Sequence, residues 1–243
     1  MGFVRGTKYS QKDEDGRLGT SFDGYNSYLL FIDRATRYLR RFLSKYKTPR
    51  IDVITDFLQK HGVTSPHRVV RTDGRGELSG SHLFQQAVRA AGYVLEQTAS
   101  DSSFQNGMAE RPNQSLADNM RALLHGANLG PEYWSWALLH AAYLPNRLPH
   151  KSTNMMPLQA YRGERPNLRR LRVFGSPVVA RLPGRRMAKL DTNTALGIFL
   201  GYTATDNNIY YQDHATRKIK VATHVSFDEA GCTNSPNNLT VLQ

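Results

Sequence analysis

Near residue 172 the chain changes texture, and that change narrows the available folds more than any other feature. Before it, strand-like runs alternate with stretches of helical period. Tyr25–Ile32 is an aromatic and branched run, and 36–43 (TRYLRRFL) is a second, with a basic outer face. Ile51, Ile54, Phe57 and Leu58 then mark one stripe of a helix that Pro49 can open and Gly62 can stop. His67–Thr72 reads as a strand running into Asp73-Gly74. Leu83, Phe84, Ala87, Val88 and Ala91 fall at helical spacing before Gly92, and Tyr93–Gln97 is a further strand. A polar loop over 98–107 leads to a helix starting near Met108, which leaves Pro112 in its first turn. That helix carries Leu116, Met120, Leu123 and Leu124. Pro131 opens another through Trp134, Ala137, Leu138 and Ala141.

The order strand, strand, helix, strand, helix, strand, helix, helix predicts a mixed α/β region. It lacks an opening strand unless residues 2–5 supply one, and 7–24 read as a long loop or hairpin turn. After residue 172 only short, turn-punctuated strands follow: 172–174, 177–180, 196–200, 209–211 and 219–221, with Asp213–Thr216 as a hairpin turn. That spacing predicts a small all-β barrel. The expected division is 1–164 for the α/β region, 165–230 for the barrel and 231–243 for a frayed Asn/Ser/Thr-rich tail. No stretch has the ~18 apolar residues of a membrane span, and no apolar segment resembling a secretory signal follows Met1. Cys232 is the single cysteine, which excludes internal disulfides and any zinc site of the Cys-Cys/His-His type.

Charge is unevenly placed. The chain carries +12 overall, yet residues 34–50 hold seven Lys/Arg and no acid, and 162–189 hold nine against Glu164 alone. The rest of the chain is therefore net acidic. Concentrated positive charge reads as an electrostatic footprint for a polyanion, with a solvated face or a basic tail as the plainer alternatives.

Two carboxylates stand out for their positions. Asp73 ends a strand and is followed by glycines, at the mouth of a sheet where ligands gather. Glu110 lies 37 positions later in the first turn of the expected helix. Hard oxygen donors of this kind suit Mg²⁺. Spacing alone leaves two plainer readings open: Asp73 as a turn residue, and Glu110 as a complement to the helix N-terminus. Trp134 and Trp136 could stack on bases, but the period that Trp134 shares with its neighbours favours core packing.

Longer motifs resolve the choice. Val70-Arg71-Thr72-Asp73 with Gly76-Glu77-Leu78, and Ser103–Asn113 (SFQNGMAERPN), resemble the second-aspartate and glutamate motifs of copia-type retrotransposon integrases. Tyr143 with Asn146–His150 is similar to the helix end that follows in that family. Leu171–Ser176, Lys189–Asp191, Gly197–Tyr202 and Val225–Glu229 resemble its small C-terminal barrel. The resemblance implies a ribonuclease-H-like mixed sheet followed by a Src-homology-3-like barrel. It implies a polynucleotidyl transferase in which two Mg²⁺ (or Mn²⁺) ions are held by Asp, Asp and Glu, with Asp73 and Glu110 as the second and third.

It further implies DNA as partner, both element ends and target, a homo-oligomer, and neither a membrane nor a small-molecule substrate. The expected location is a cytoplasmic particle and then the nucleus. Asn106 and Gly107 would belong to a loop near the DNA end, and Arg169, Arg170, Arg172, Arg181, Arg185 and Arg186 would grip phosphates. Relatives carry the first aspartate just ahead of the run matching Gly2–Gly6, so here it is expected at Met1 or before it. Asp23 and Asp33 are the substitutes on offer. The alternative to a working enzyme is a nucleic-acid-binding remnant without catalysis, or a module that serves assembly. Gly74-Arg75 also departs from the motif, which has a polar residue and then glycine there.

Overall fold

The computed structural model describes residues 2–7, 19–46, 51–61, 68–73, 81–98, 103–182 and 193–230. For 2–7, His61, Asp73, Thr98 and 103–110 it describes the backbone alone. Two compact units emerge: Met1–Asp118 with Ala142–Pro166, and Asn119–Ala141 with Asn167–Gln243. No helix among the described residues is long and apolar enough to cross a membrane.

In the first unit the missing opening strand is present as β1 (Gly2–Thr7). It lies at the centre of a sheet with β2 (Ser27–Asp33), β3 (Leu39–Ser44), β4 (Val69–Asp73) and β5 (Val94–Thr98), in the order β3-β2-β1-β4-β5. β1 runs antiparallel to β2 and parallel to β4; β4 and β5 are parallel, and β2 and β3 form a hairpin. The order is that of the ribonuclease-H-like sheet implied by the resemblance.

Tyr28, Leu29, Leu30, Phe31 and Ile32 are all buried, so β2 is covered on both faces, as its unbroken apolar run requires. On one face Leu29, Phe31 and Val70 pack with Ile54 and Leu58 of α1 (Ile51–His61) and with Phe84 and Val88 of α2 (His82–Ala90). On the other, the Tyr28 hydroxyl donates to Asn113 Oδ1 (3.0 Å) on α3 (Ser103–Gly126). The start of α2 is fixed by Ser81, whose hydroxyl accepts from Phe84 N–H (3.3 Å). Leu83, which shares the apolar spacing of that stripe, instead points to solvent at 64% exposure. The buried stripe is Phe84 and Val88, each worth about 2–3 kcal/mol of apolar burial.

α3 begins earlier than its sequence suggests. Asn106 and Gly107 lie inside it, not in a preceding loop, and Pro112 is interior. Pro112 has no N–H to give the carbonyl one turn back, and the helix continues through it because adjacent bonds and the packing of Leu116 and Met120 hold it.

The second unit contains a five-stranded antiparallel sheet in the order β10-β6-β7-β8-β9. Its strands are β6 (Pro177–Arg181), β7 (Thr194–Tyr202), β8 (Ile209–Asp213), β9 (Ile219–Ala222) and β10 (Val225–Phe227). Val178, Ala180, Phe199, Ile209, Tyr211 and Ala222 form its core. Residues 172–174, expected as a strand, are irregular. Phe174 is buried, and Gly175 turns the chain at φ +80°, where a Cβ would come within 2.3 Å of the Ala127 side chain. β10 takes the open edge of β6 in their place.

The unit boundary at Pro166/Asn167 lies beside the sequence division at 164/165, but Asn119–Ala141 groups with the barrel. The reason is visible in its side chains. Trp136, on α4 (Trp134–Tyr143), packs its ring 5.1 Å from that of Tyr210, and the buried Tyr133 hydroxyl donates to Gln212 Oε1 (2.7 Å). Trp134 and Trp136 are both core residues.

Candidate functional site

Asp73 is the last residue of β4, and Thr98, the last of β5, is its register partner. Five residues after Thr98, α3 begins, and Glu110 sits two turns along it, about 10 Å from its start at ~1.5 Å per residue. Both carboxylate-bearing positions thus belong to elements that meet at the carboxyl edge of one sheet. The helix follows β5 there, and Tyr28–Asn113 ties it to the sheet. Two hard oxygen donors are chemically suited to Mg²⁺. Among the described residues no group of three His, Cys, Asp or Glu is placed to hold a metal.

β1 runs beside β4 with Gly2 opposite Val70 and Phe3 opposite Arg71. Its residues, Gly2–Thr7 (GFVRGT), contain no carboxylate. Asp33 cannot complete a site with Asp73. Gly2 pairs with both Asp33 and Val70, so Asp33 is two strands across from β4 and level with Val70, at the opposite edge from Asp73. The separation is about 14 Å from strand spacing and rise, far beyond a shared metal pair. Its carboxylate also serves the β2–β3 turn, where Oδ2 accepts from Thr36 N–H (3.0 Å) and Oγ1 (2.5 Å). Asp23 lies in the turn before β2, its Oδ1 accepting from the Ser21 hydroxyl (2.6 Å).

One ion pair lies behind Asp73. Arg71 Nε meets Glu96 Oε2 at 2.5 Å across the β4–β5 register, two residues before the strand end. Asn146 and Arg147, read from sequence only as a helix end, hold the unit together. The Asn146 amide accepts from Leu39 N–H and donates to Leu39 O, each at 2.8 Å, closing the free edge of β3 there. The Arg147 guanidinium lies 3.3 Å from the Tyr143 ring centroid. Only the tertiary pairing identifies these roles.

The basic positions divide. Asn167 Oδ1 accepts from Arg169 N–H (3.1 Å), starting a short 3₁₀ turn that leaves Arg169 exposed. Arg181 is exposed at the end of β6. Arg170 donates to Asp206 O (2.6 Å) and Asn207 Oδ1 (3.1 Å). Arg172 donates to Arg169 O (3.0 Å) and Leu171 O (2.8 Å), with its guanidinium 5.2 Å from the Phe227 ring centroid. These two brace the barrel as well as carrying charge. Arg185 and Arg186 lie outside the described residues, as does the tail over 231–243. His140 is no ligand candidate: it is buried against Phe174, Phe199 and Tyr202, and burial lowers its pKa to about 4.

Residues 176–240 match the family described as Retroviral polymerase SH3-like domain. Over 226 residues, 91% of this chain, the sequence is 29% identical to the retrovirus-related Pol polyprotein from transposon RE1 of Arabidopsis thaliana. Over 213 residues, 86% of the chain, it is 28% identical to that from transposon TNT 1-94 of Nicotiana tabacum. The chain spans only 15% and 16% of the length of these relatives. A chain from the cryoEM structure of the simian T-cell lymphotropic virus intasome, in complex with PP2A regulatory subunit B56 gamma, shares the fold. The TM-score is 0.50 at 14% identity, covering 91% of this chain and 75% of that one.

Proposed function

We propose that this chain, which is similar to retrovirus-related Pol polyproteins of transposons, is a segment of a copia-type integrase that binds DNA and contributes Asp73 and Glu110 to a strand-transfer site. The observation carrying this reading is the meeting of β4, β5 and α3 at one sheet edge, with a carboxylate on β4 and another on α3. In the intact enzyme a 3′-hydroxyl of the element would attack a target phosphodiester in line, without a covalent enzyme intermediate. Bound Mg²⁺ or Mn²⁺ would activate the attacking oxygen and stabilise the leaving one. This chain's own part is positional. Asp73 and Glu110 offer anionic oxygens, and the exposed Arg169 and Arg181 draw in the phosphate backbone. The working form on DNA is an oligomer, acting in the nucleus after a cytoplasmic particle stage.

A second reading, DNA binding without catalysis, is favoured by one observation: Asp33, a substitute on offer for the first aspartate, is out of reach of Asp73. A strand-transfer assay with Mg²⁺ and with Mn²⁺ separates the two. Activity that Asp73→Asn and Glu110→Gln each abolish establishes catalysis by this chain, and Asp23→Asn then asks whether Asp23 is the third ligand. Salt-dependent DNA binding with no transfer leaves the second reading. Binding that is flat from low to high salt defeats both, because phosphate contacts must release counterions.

A further inference from the structure

An aromatic and basic platform stands at the same sheet edge as Asp73. Its base is the turn before β2 and the end of β3. Asn26 N–H donates to Ser44 O (3.0 Å), Asn26 Nδ2 to Lys45 O (2.9 Å), and the hydroxyls of Ser27 and Ser44 both donate to Tyr46 O (2.9 and 2.8 Å). The turn is closed by Tyr25 N–H on Ser21 Oγ (2.8 Å), with Gly24 at φ +84°. On this pinned backbone Tyr46 is 72% and Phe22 44% exposed, and Lys45 joins the two sides with its Nζ 5.9 Å from the Tyr25 ring centroid. Single exposed rings are ordinary. Two on one pinned turn pair, with the Lys45 cation beside the Tyr25 ring, supply faces for stacking.

The registers place it. Thr7 pairs with Tyr28 and Gly2 with Val70, so Ser27 and Ser44 lie about three residues beyond Asp73 along the strands, and on neighbouring strands of the same edge. Ser27 is about 14 Å from Asp73 by strand spacing and rise, a reach of about four nucleotides at ~3.4 Å per stacked step.

We propose that Phe22, Tyr25, Lys45 and Tyr46 form a binding surface for unpaired nucleotides of the DNA whose phosphates approach Asp73. The rings take base faces, which every nucleotide presents, and Lys45 takes a phosphate. Asp23, held by Ser21, is the one acid in this turn. The surface rests on the DNA reading above and deepens it.

The test uses the full chain and a duplex carrying a short 3′ overhang with 2-aminopurine in it, beside the blunt duplex. The wild type is expected to quench the 2-aminopurine on binding. Tyr46→Ala and Phe22→Ala should each weaken overhang binding roughly five-fold or more, leave blunt-duplex binding nearly unchanged, and relieve the quenching. Tyr46→Phe keeps the ring and should bind as wild type. Unchanged thermal melts show that the variants are folded, as expected for exposed side chains. Equal overhang binding by wild type and both alanine variants overturns the platform while leaving the DNA reading intact. Failure of the wild type to bind either duplex removes the DNA reading and the platform with it. Self-association that Tyr46→Ala abolishes, with overhang binding unaltered, assigns the surface to a protein contact and overturns the proposal.

Discussion

The same hairpin turn is built twice, once in each unit. Asp33-Arg34-Ala35-Thr36-Arg37-Tyr38 joins β2 to β3, and Asp213-His214-Ala215-Thr216-Arg217-Lys218 joins β8 to β9. In both, the aspartate carboxylate accepts from the threonine N–H and hydroxyl. The aspartate N–H also bonds the residue five on, and the arginine adopts positive φ, 65° and 57°. Six residues with fixed local hydrogen bonds therefore set a turn in two different folds. The surroundings differ. Asp213 is buried and gives its second oxygen, Oδ2, to Lys220 Nζ at 2.5 Å, whereas Asp33 is half-buried. Asp33 and Asp213 are thus turn devices at strand ends, whereas Asp73 ends a strand that runs parallel to both of its neighbours.

Removing the carboxylate should expose the difference most. Asp213→Ala strips a buried acceptor from Thr216 N–H, Thr216 Oγ1 and Lys220 at once, and should cost about 3 kcal/mol, as for loss of charge-assisted bonds at a buried site. Urea unfolding measures it. A loss no larger than that of Asp33→Ala would mean that burial and Lys220 add nothing to the shared turn.

Acid should reproduce part of that loss. The Lys220 ammonium, then the Thr216 amide, hold the Asp213 carboxyl at about 2, below its ordinary 3.8. Because the folded pKa is depressed, the stabilisation is complete above pH 4. It falls away as pH drops from about 4 to 2, amounting to about 2 kcal/mol. Lys220→Met should flatten most of that window in urea titrations at pH 5 and pH 2.5; an unaltered slope would place the effect elsewhere. For Asp33→Ala, which loses two turn bonds beside solvent, about 1 kcal/mol is expected. Any metal-dependent activity should survive it, since Asp33 sits at the far edge from Asp73.

Much of this was legible in the sequence, and the failures have physical reasons. The strands of both units and the α1 and α2 stripes follow from local period and punctuation. The resemblance reaches Asp73 and Glu110, and the relatives extend over the same span. The start of α3 is not legible, because Gln105-Asn106-Gly107 and Pro112 carry loop and breaker propensities that tertiary packing overrides. Residues 172–174 have strand-like composition, yet the turn at Gly175 and the burial of Phe174 decide their conformation. Pairings such as Asn146 with Leu39, 107 residues apart, leave no local signal. The platform around Tyr46 depends on which edge of the sheet a turn occupies, and only strand order supplies that.

The smallest expected effect is also the sharpest comparison of the two turns. Arg37 and Arg217 both occupy the left-handed region, which costs a side-chain-bearing residue about 1 kcal/mol or more. Glycine removes that strain but gives back about 0.5–1 kcal/mol in unfolded-chain freedom. At the exposed Arg217 the two should nearly cancel, leaving Arg217→Gly within about 0.5 kcal/mol of wild type. At Arg37 the buried Nε finds no hydrogen-bond partner among the described residues, so Arg37→Gly also removes an unsatisfied donor. It should gain about 1 kcal/mol, and thermal melts of the two variants compare them directly. If Arg217→Gly stabilises more than Arg37→Gly, then the environment of the β2–β3 turn holds Arg37 favourably, and the turns differ in a second way beyond their aspartates.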